Sequence, residues 1–168
     1  FISIFIIFYT LWRYSSELPS YEKIVEYKPN LSSRIYSSDG FLLKSFYTEE
    51  RIFIPVDRIP RNIKQAFLAS EDKNFYNHYG VDIIAIFRAF LTNIININSN
   101  KRVVGASTIT QQVVKNLLLS NELSYSRKIK EIILALRIEN ILDKDDILEL
   151  YLNDIYLGYG SYGIGSAS

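Results

Sequence analysis

The stretch Gly105-Ala-Ser-Thr-Ile-Thr-Gln-Gln-Val-Val-Lys-Asn116 begins with small and hydroxylated residues and passes into a helical pattern. Thr108 and Gln111 stand three residues apart, which is the spacing of a capping box, where each side chain bonds the backbone N–H of the other residue. The sequence therefore predicts a helix that begins after Thr108 and runs through Leu118.

Apolar residues at helical spacing predict further helices on both sides of this stretch. Upstream, Pro60 suits a helix start, and the helix that follows has an apolar face and ends at Glu71. Residues 82–95 form another candidate helix with a wide apolar stripe. Downstream, helices are expected over about residues 126–141 and 143–153, the latter capped by its opening aspartate. The predicted fold is mainly α.

Short β-like runs precede the helices. Arg34–Ser37 leads into Asp39-Gly40, a hairpin turn signal, and residues 41–47 and 51–56 are expected to be neighbouring strands. The Gly-rich tail 158–165 is expected to form a turn or a tight helix entry. The sequence thus predicts a small β element upstream of a helical domain.

The first residues have the character of a membrane span. Residues 1–12 carry no charge and are nearly all apolar, but a span needs about 20 such residues. Arg13 and Tyr14 follow, a mixture typical of a membrane interface. We interpret residues 1–14 as a partial transmembrane helix whose start is missing. A signal-peptide core and a buried helix are the alternatives, and no small-residue cleavage site follows.

The rest of the chain divides into a connector and a domain. Residues 15–31 are polar, contain Pro19 and Pro29, and are interpreted as the connector, so that residues 32–168 form the domain. Because the chain has no Met and begins at Phe1, we expect a fragment or a processed product, cut off before any second domain.

Composition excludes several classes of function. With 168 residues, 48% of them hydrophobic, the chain can build one domain with a real core. A net charge of +1 gives no support for a nucleic-acid partner. The absence of Cys excludes thiolate nucleophiles and Cys-bound zinc. Since His78 is the only histidine, no His cluster can hold a metal, and we expect no metal site.

Two acidic residues are candidates for chemistry. Glu71 follows an apolar helix face and precedes Phe75 and Tyr76, which predicts partial shielding from water. A shielded carboxylate can act as a base or an acid near neutral pH, although Glu71 taken alone is more simply a solvated or capping helix end. Glu131 shares one side of a helix with Arg127 and Lys128, for which a surface ion pair is the alternative.

Cations and amide donors lie one helix earlier than Glu131. Together with Arg127 and Lys128 they form a set suited to a diphosphate or a sugar. These residues are Lys115, Gln111 and Gln112.

Five runs follow one another along the chain. The first run is Glu71-Asp-Lys-Asn-Phe-Tyr-Asn-His-Tyr-Gly80, and the second is the stretch quoted at the opening. The others are Arg127–Glu131, Ile147–Asn153 and Tyr156–Gly165. In residues, order and intervals these runs resemble the motifs of the peptidoglycan glycosyltransferases, the transglycosylase domains of class A penicillin-binding proteins (glycosyltransferase family 51).

Upstream stretches extend the resemblance. Arg34–Gly40 and Ile59-Pro60 resemble the bifunctional 1A-type members, so the resemblance covers about residue 32 to the end. A transpeptidase domain is absent from this chain and is expected to follow it. Many family members carry Arg where this sequence has Gly160, so a contact made by the fifth motif differs here.

The resemblance implies a lysozyme-like helical fold and lipid II as the substrate. It implies that Glu71 is the general base on the acceptor sugar's 4-hydroxyl, which attacks with inversion to give a β-1,4 link and releases undecaprenyl diphosphate. Developing charge on a diphosphate needs cations, and the residues implied are Lys115, Arg127 and Lys128. Glu131, the second catalytic carboxylate, would orient these cations or steady the donor.

Other motif positions receive supporting roles by the same resemblance. The implied substrate-binding residues are Asp72, Ser107, Thr108, Gln111, Gln112 and Asn116, of which Asp72 could instead support Glu71 or a backbone amide. The remaining motif positions are structural: Phe75 packs, His78 ties a loop, Gly80 makes a turn with positive φ, and Asn153 caps or bridges helices.

The resemblance also implies partners and a location. The partners are lipid II, the growing lipid-linked glycan, the membrane and other cell-wall synthesis proteins. The domain is expected on the periplasmic side of the bacterial inner membrane, held by a single span. No cofactor is expected, although a divalent cation could accompany the diphosphate. The 82–95 helix would be a flap at the membrane, with core packing as the alternative.

Three other functions stay open. A lysozyme-like hydrolase would use two flanking carboxylates, and Glu71 with Glu131 could be that pair. A membrane-anchored scaffold that binds glycan or protein would need no catalytic residue. Acyl transfer is suggested by Ser70-Glu-Asp-Lys73, a Ser-x-x-Lys match, but no Lys-Thr-Gly accompanies it.

Overall fold

The computed structural model describes residues 9, 13–15, 18–19, 24, 33–46, 50–97, 101–119 and 124–167. The helices are α1 (Arg61–Glu71), α2 (Ile83–Ile95), α3 (Ile109–Leu118), α4 (Tyr125–Ile138) and α5 (Lys144–Asp154). The strands are β1 (Ser33–Tyr36), β2 (Leu42–Phe46), β3 (Glu50–Arg51), β4 (Tyr156–Gly158) and β5 (Ser161–Tyr162). Short 3-10 turns occupy Val56–Arg58 and Phe75–Asn77. The mainly helical fold is confirmed and fits the lysozyme-like arrangement that the resemblance implies.

The core lies where α3 packs against both α4 and α5. Apolar side chains at helical spacing on these three helices are fully buried, and Phe75 joins them from the first motif. The members of this cluster include Ile109, Val113, Val114, Leu134, Ala135, Ile138, Ile147, Leu148, Tyr151 and Leu152. Because α3 is packed between its neighbours, its first turn is held rigidly, and the loops that carry the motifs contact this turn.

Local capping sets where the core helices begin. Thr108 Oγ1 accepts from the Gln111 N–H at 3.2 Å, and Gln111 Oε1 accepts from the Thr108 N–H at 3.0 Å. The predicted capping box is therefore confirmed. Ser124 Oγ accepts from the Arg127 N–H at 3.1 Å and caps α4, so this helix begins at Tyr125 and ends at Ile138, three residues before the predicted end.

The β prediction is confirmed for one strand pair and wrong for the other. β1 and β2 form the expected antiparallel hairpin, with Gly40 at φ +83° in its turn. The segment 51–56 is not a neighbour of this hairpin, because β3 is only two residues long and pairs in parallel with β5. After β3, two side chains of α5 bind the backbone of the segment that was predicted as a strand. Asn153 hydrogen-bonds to Ile54, and Glu149 accepts from the Val56 N–H. These side-chain bonds take the place of strand pairing.

The Gly-rich tail forms the predicted turn and not a helix entry. β4 and β5 pair antiparallel, and the turn between them has positive φ at Gly158, Tyr159 and Gly160. Glycine adopts such angles without strain, so the two glycines of this turn add no backbone strain.

α1 and α2 lie at the edge of the core. α1 has no buried side chain, and on α2 only Ala89 is buried among the described residues. The side chains of Ile83 and Phe87 are 77% and 61% exposed. The alternative that the apolar stripe of α2 packs into the core is therefore wrong.

The predicted membrane span falls mostly outside the described residues. Of residues 1–14 the structure describes only residues 9, 13 and 14, and most of the predicted connector lies outside as well. Within the described part of the chain, no helix combines the length and apolar character needed to cross a bilayer.

Candidate active site

Glu71 ends α1 and faces α3. Its Oε2 accepts a hydrogen bond of 3.0 Å from Gln112 Nε2, so the first and second motifs meet at this carboxylate. The predicted shielding of Glu71 is wrong, because its side chain is exposed. The physical reason is that α1 lies at the edge of the core, while Phe75 turns inward and Tyr76 stays 52% exposed.

Asp72, the next residue, is buried and serves the loop. It accepts from His78 Nε2 at 2.9 Å and from the Ile109 backbone N–H at 3.0 Å. A carboxylate at the N-terminus of α3 satisfies a free N–H group and interacts favourably with the helix dipole. Asp72 therefore joins the first motif to the start of α3, and His78 ties the loop as predicted.

Gly80 allows the same loop to approach α4. Its φ is +78°, and a Cβ atom built on it would lie 2.7 Å from the Ala135 carbonyl carbon and oxygen. Its own carbonyl accepts from Thr108 Oγ1 at 2.6 Å. Both the backbone angle and the close approach require glycine, so the predicted turn with positive φ is confirmed.

Glu131 is buried between two cations on α4. The residue is 2% exposed, its Oε2 lies 2.7 Å from Lys128 Nζ, and its Oε1 lies 3.7 Å from an Arg127 guanidinium nitrogen. Lys128 Nζ also donates to Ser107 Oγ at 2.8 Å. The cluster is thus not the surface ion pair considered as an alternative, and it joins the third motif to the loop before α3.

A cleft of about 190 Å³ collects these elements. It is lined by the end of α1, by the loop before α3 and by the first turns of α2. Four of the predicted site residues line it, namely Glu71, Asp72, Ser107 and Thr108. Lys128 reaches its rim through the hydrogen bond to Ser107. The cleft therefore places an exposed carboxylate close to an anchored ammonium group.

Other predicted site residues lie around the cleft or away from it. Gln111 and Thr108 are buried and hold the local turn. Lys115 and Asn116 follow Gln112 by three and four residues, on the same side of α3. Asn153 clamps the backbone of Ile54, which donates to its Oδ1 at 2.8 Å and accepts from its Nδ2 at 2.9 Å. It bridges α5 to the segment before α1.

Phe75 lies in the core, as its packing role predicts, at 1% exposure. Its ring lies 4.5 Å from Lys144 Nζ, a cation–π contact.

Three charged residues that line the cleft, Lys73, Asp82 and Arg88, were not predicted as site residues. Arg88, the only basic residue between positions 82 and 95, lines it. The sequence signal that could have identified Arg88 was its position as a single cation within the apolar stripe of α2. Asp82 lines it too, and the Ala85 backbone N–H, which bonds its carboxylate at 2.8 Å, holds the pKa of Asp82 below its usual value despite burial. Asp82 therefore stays ionised and caps α2.

Burial raises the pKa of the Tyr151 phenol, and the negative charge of Glu71 adds to this shift. The Tyr151 hydroxyl therefore stays neutral close to the Glu71 carboxylate.

Comparison with known proteins identifies the family of this chain. The transglycosylase family model matches residues 39–168. Penicillin-binding protein 1A of Rickettsia bellii is 51% identical over 163 residues, covering 97% of this chain and 21% of that protein. The penicillin-binding protein 1A of Escherichia coli is 45% identical and that of Aquifex aeolicus 43%, over 95% and 90% of this chain.

The chain spans about a fifth of the length of these curated relatives. The family match nevertheless covers most of its residues and all five motifs. The chain therefore belongs to the transglycosylase family, as a transglycosylase domain of the class A penicillin-binding protein type, and is a peptidoglycan glycosyltransferase.

Proposed function

We propose that this chain polymerises lipid II into β-1,4-linked glycan strands, with inversion at the anomeric carbon and release of undecaprenyl diphosphate. The observation that carries the proposal is the exposed Glu71 carboxylate in one cleft with Ser107, which holds the Lys128 ammonium. Glycosyl transfer from a diphosphate needs a base for the attacking hydroxyl and cations for the leaving group.

In the proposed step Glu71 is the general base. It takes the proton of the acceptor sugar's 4-hydroxyl as that oxygen attacks the donor's anomeric carbon. The new carbon–oxygen bond forms while the bond from that carbon to the diphosphate oxygen breaks, and the proton remains on Glu71. Attack opposite the leaving group inverts the carbon. The Gln112 amide, at 3.0 Å from Oε2, orients the carboxylate for this transfer.

The diphosphate leaves as an anion and needs no proton, so cations stabilise its developing charge. Lys128, Arg127 and Lys115 are the proposed cations, and Arg88 joins them because it lines the cleft that holds Glu71. Glu131 is buried between Arg127 and Lys128 and so acts through them. It is a positioning residue in this proposal and does not touch the sugar.

Ligand contacts and loop support divide among the remaining motif residues. Ser107, Gln112 and Asn116 are the proposed contacts to sugars and phosphates. Asp72, Thr108 and Gln111 hold the loop, because their side chains are buried in hydrogen bonds to the start of α3.

The exposed apolar face of α2 suits a lipid surface. An isolated apolar helix face of this kind favours burial in the boundary of a bilayer, and lipid-linked substrates would reach the cleft from there. We propose that the domain works at the periplasmic face of the inner membrane, with residues 1–14 as part of its anchor. Other cell-wall synthesis proteins are the proposed partners.

No cofactor enters the proposed step. Within the described ranges, no group of three His, Asp or Glu side chains could form a metal cage. A divalent cation could still accompany the diphosphate, and polymerisation measured after EDTA treatment and after Mg²⁺ addition would reveal it.

The decisive experiment offers the chain lipid II and, separately, finished glycan. We expect polymer from lipid II and no cleavage of the glycan. Cleavage without polymer would favour the lysozyme-like hydrolase. The burial of Glu131 between its two cations argues against that function, because a pair of flanking carboxylates must both reach the sugar.

Acyl transfer has less support from the contacts. Ser70 Oγ donates to the Phe67 carbonyl at 3.1 Å, a bond within α1 that directs the hydroxyl to the backbone and not to Lys73. Labelled penicillin should therefore not attach to this chain. A covalent adduct at Ser70 would contradict this expectation.

Membrane docking is tested by charge on the α2 face. Phe87→Glu with Phe90→Glu should strongly reduce binding to liposomes, because each carboxylate opposes insertion of the apolar face. Ile141→Glu, an exposed apolar residue elsewhere, is the matched control and should bind like wild type. Unchanged binding of the folded α2 variant would contradict docking through this helix.

A further inference from the structure

A second cleft, of about 730 Å³, lies at the other end of α1 from Glu71. It is formed by the 3-10 turn before α1, by the first two turns of α1 and by Tyr76. None of the five motifs places a residue here except the first, through Tyr76. The cleft therefore needs an explanation apart from the proposed catalytic step.

The cleft is positively charged. Three cations line it, Arg58, Arg61 and Lys64, against one carboxylate, Asp57. Lys64 Nζ donates to the Val56 carbonyl at 3.2 Å, which holds the ammonium group at the wall of the cleft. Arg58 and Arg61 are exposed, and among the described residues no side-chain hydrogen bond or ion pair engages either guanidinium group. Both are free to bind an anion, and Arg presents a planar fork that matches a carboxylate.

Two acidic side chains of the neighbouring helix lie near this cleft but do not line it. Glu149 accepts from the Val56 backbone N–H at 2.7 Å, and Asp145 accepts from the Tyr76 hydroxyl at 2.8 Å. These bonds hold both carboxylates away from Arg58 and Arg61, and among the described residues neither carboxylate forms an ion pair with them. The positive excess is therefore that of the residues that line the cleft.

Tyr76 adds an aromatic surface. Burial and the hydrogen bond to Asp145 raise the pKa of Tyr76 to about 12, so the hydroxyl stays protonated and keeps its bond to Asp145. This bond holds the ring in place while the side chain is 52% exposed. A fixed aromatic ring offers an apolar face with a polar edge, and the Gln65 amide beside it adds donors and acceptors.

The two clefts lie along the same helix and share no lining residue. Leu68 lines the basic cleft and Glu71 lines the cleft of the proposed reaction, and residues three apart are neighbours on a helix surface. From Arg61 to Glu71 the helix rises about 15 Å. A strand that reacts at Glu71 and follows α1 would therefore meet the basic cleft.

We propose that the basic cleft binds a carboxylate-bearing glycan strand beyond the reacting sugars. Arg58 and Arg61 pair with its carboxylates, and Tyr76 and Gln65 contact its sugar rings. The choice of a glycan as the ligand rests on the proposed function, whereas the charge and shape of the cleft do not.

Direct binding tests the proposal without turnover. The probe is a labelled, soluble, uncrosslinked glycan strand that keeps its peptide carboxylates, titrated with the full chain by fluorescence anisotropy at low salt. Arg58→Glu with Arg61→Glu should weaken binding by about tenfold or more, because charge-assisted contacts become repulsive. The matched control is Lys101→Glu with Arg102→Glu, the same charge change beside α2, which should stay within about twofold of wild type.

Further binding measurements with other ligands and variants identify the ligand class. A neutral chito-oligosaccharide of equal length should bind wild type much more weakly than the carboxylate-bearing strand. Arg58→Gln with Arg61→Gln, checked for folding by circular dichroism, should show an intermediate loss and replaces the charge reversal if that variant does not fold. Vesicles of phosphatidylglycerol should bind the Arg58 and Arg61 variant as well as they bind wild type.

Three results would overturn the proposal: equal strand binding by wild type and the variant, equal binding of neutral and acidic glycans, or a loss confined to the vesicles. Loss of strand binding in a chain that makes no polymer would leave the cleft assigned and reject only the proposed function.

Discussion

Glu71 and Glu131 are carboxylates of the same site, but Glu71 is exposed at a helix end with one amide donor, whereas Glu131 is 2% exposed between two cations. An exposed carboxylate can reach a substrate hydroxyl and take its proton. A carboxylate enclosed by Arg127 and Lys128 can only hold those cations in place. Burial, and not residue type, therefore separates the proposed base from the proposed positioning residue.

The largest expected effect comes from Glu71→Gln. Removing a general base should lower lipid II polymerisation by about 10²–10⁴-fold. Because Glu71 is exposed, the free energy of unfolding should change by no more than about 0.5 kcal/mol. A polymerisation assay and urea unfolding of the same preparation measure both. Full polymerisation by the folded variant would mean that Glu71 is not the base, whereas unchanged cell-wall function in cells that carry the variant would favour the scaffold function.

Gly80→Ala tests the loop that joins the two carboxylate regions. The added Cβ would collide with the Ala135 backbone, and φ is +78°, so we expect a loss of about 3 kcal/mol or more in stability. Gly40→Ala is the matched control, because Gly40 also has positive φ but nothing lies within 4 Å of its Cβ position. It should cost about 1 kcal/mol. If urea unfolding gave the same loss of unfolding free energy for both variants, the close approach of Gly80 to α4 would not contribute to stability.

Glu131→Gln sharpens the comparison from the other side. It leaves two cations without their charge partner, so unfolding free energy should fall by about 1–3 kcal/mol, less than for a fully buried pair because Lys128 is 43% exposed. Polymerisation should fall as well, but by less than in Glu71→Gln, because Glu131 acts through its two cations and does not touch the sugar. A loss as large as that of Glu71→Gln in a variant that stays folded would contradict the positioning role.

Asp82→Asn should give the smallest effect, and one that depends on pH. The folded pKa of Asp82 lies below its ordinary value of 3.8, so its ionised form stabilises the folded state above about pH 4 and this contribution is lost as pH falls through the folded pKa. Wild type should exceed the variant in stability at pH 7, and the difference should shrink near pH 3. A difference that grows as the pH falls would contradict the sign of this shift.

Short-range features were predictable because they depend on neighbours in the chain. The capping box at Thr108, the helix that ends at Glu71 and the hairpin at Gly40 all follow from spacing or turn chemistry within a few residues. The motif residues were also identifiable, because their order along the chain is a property of the sequence alone.

Burial and long-range pairing were not predictable in the same way. From the sequence, Glu71 was expected to be shielded from water, and a surface ion pair was the alternative for Glu131. In the structure Glu71 is exposed and Glu131 is buried. Likewise Arg51 belongs to a strand beside Tyr162, a partner more than a hundred residues away. No local pattern carries that information.

The sequence by itself determined the helices, their caps and the order of the five motifs, because hydrogen bonds between near neighbours and helical periodicity act over one or two turns and motif order is read along the chain. Only the tertiary structure decided which carboxylate meets solvent, and that a basic cleft forms at the other end of α1 from Glu71. Those properties depend on which surfaces α3, α4 and α5 cover when they pack together, and packing joins residues that are distant in the chain.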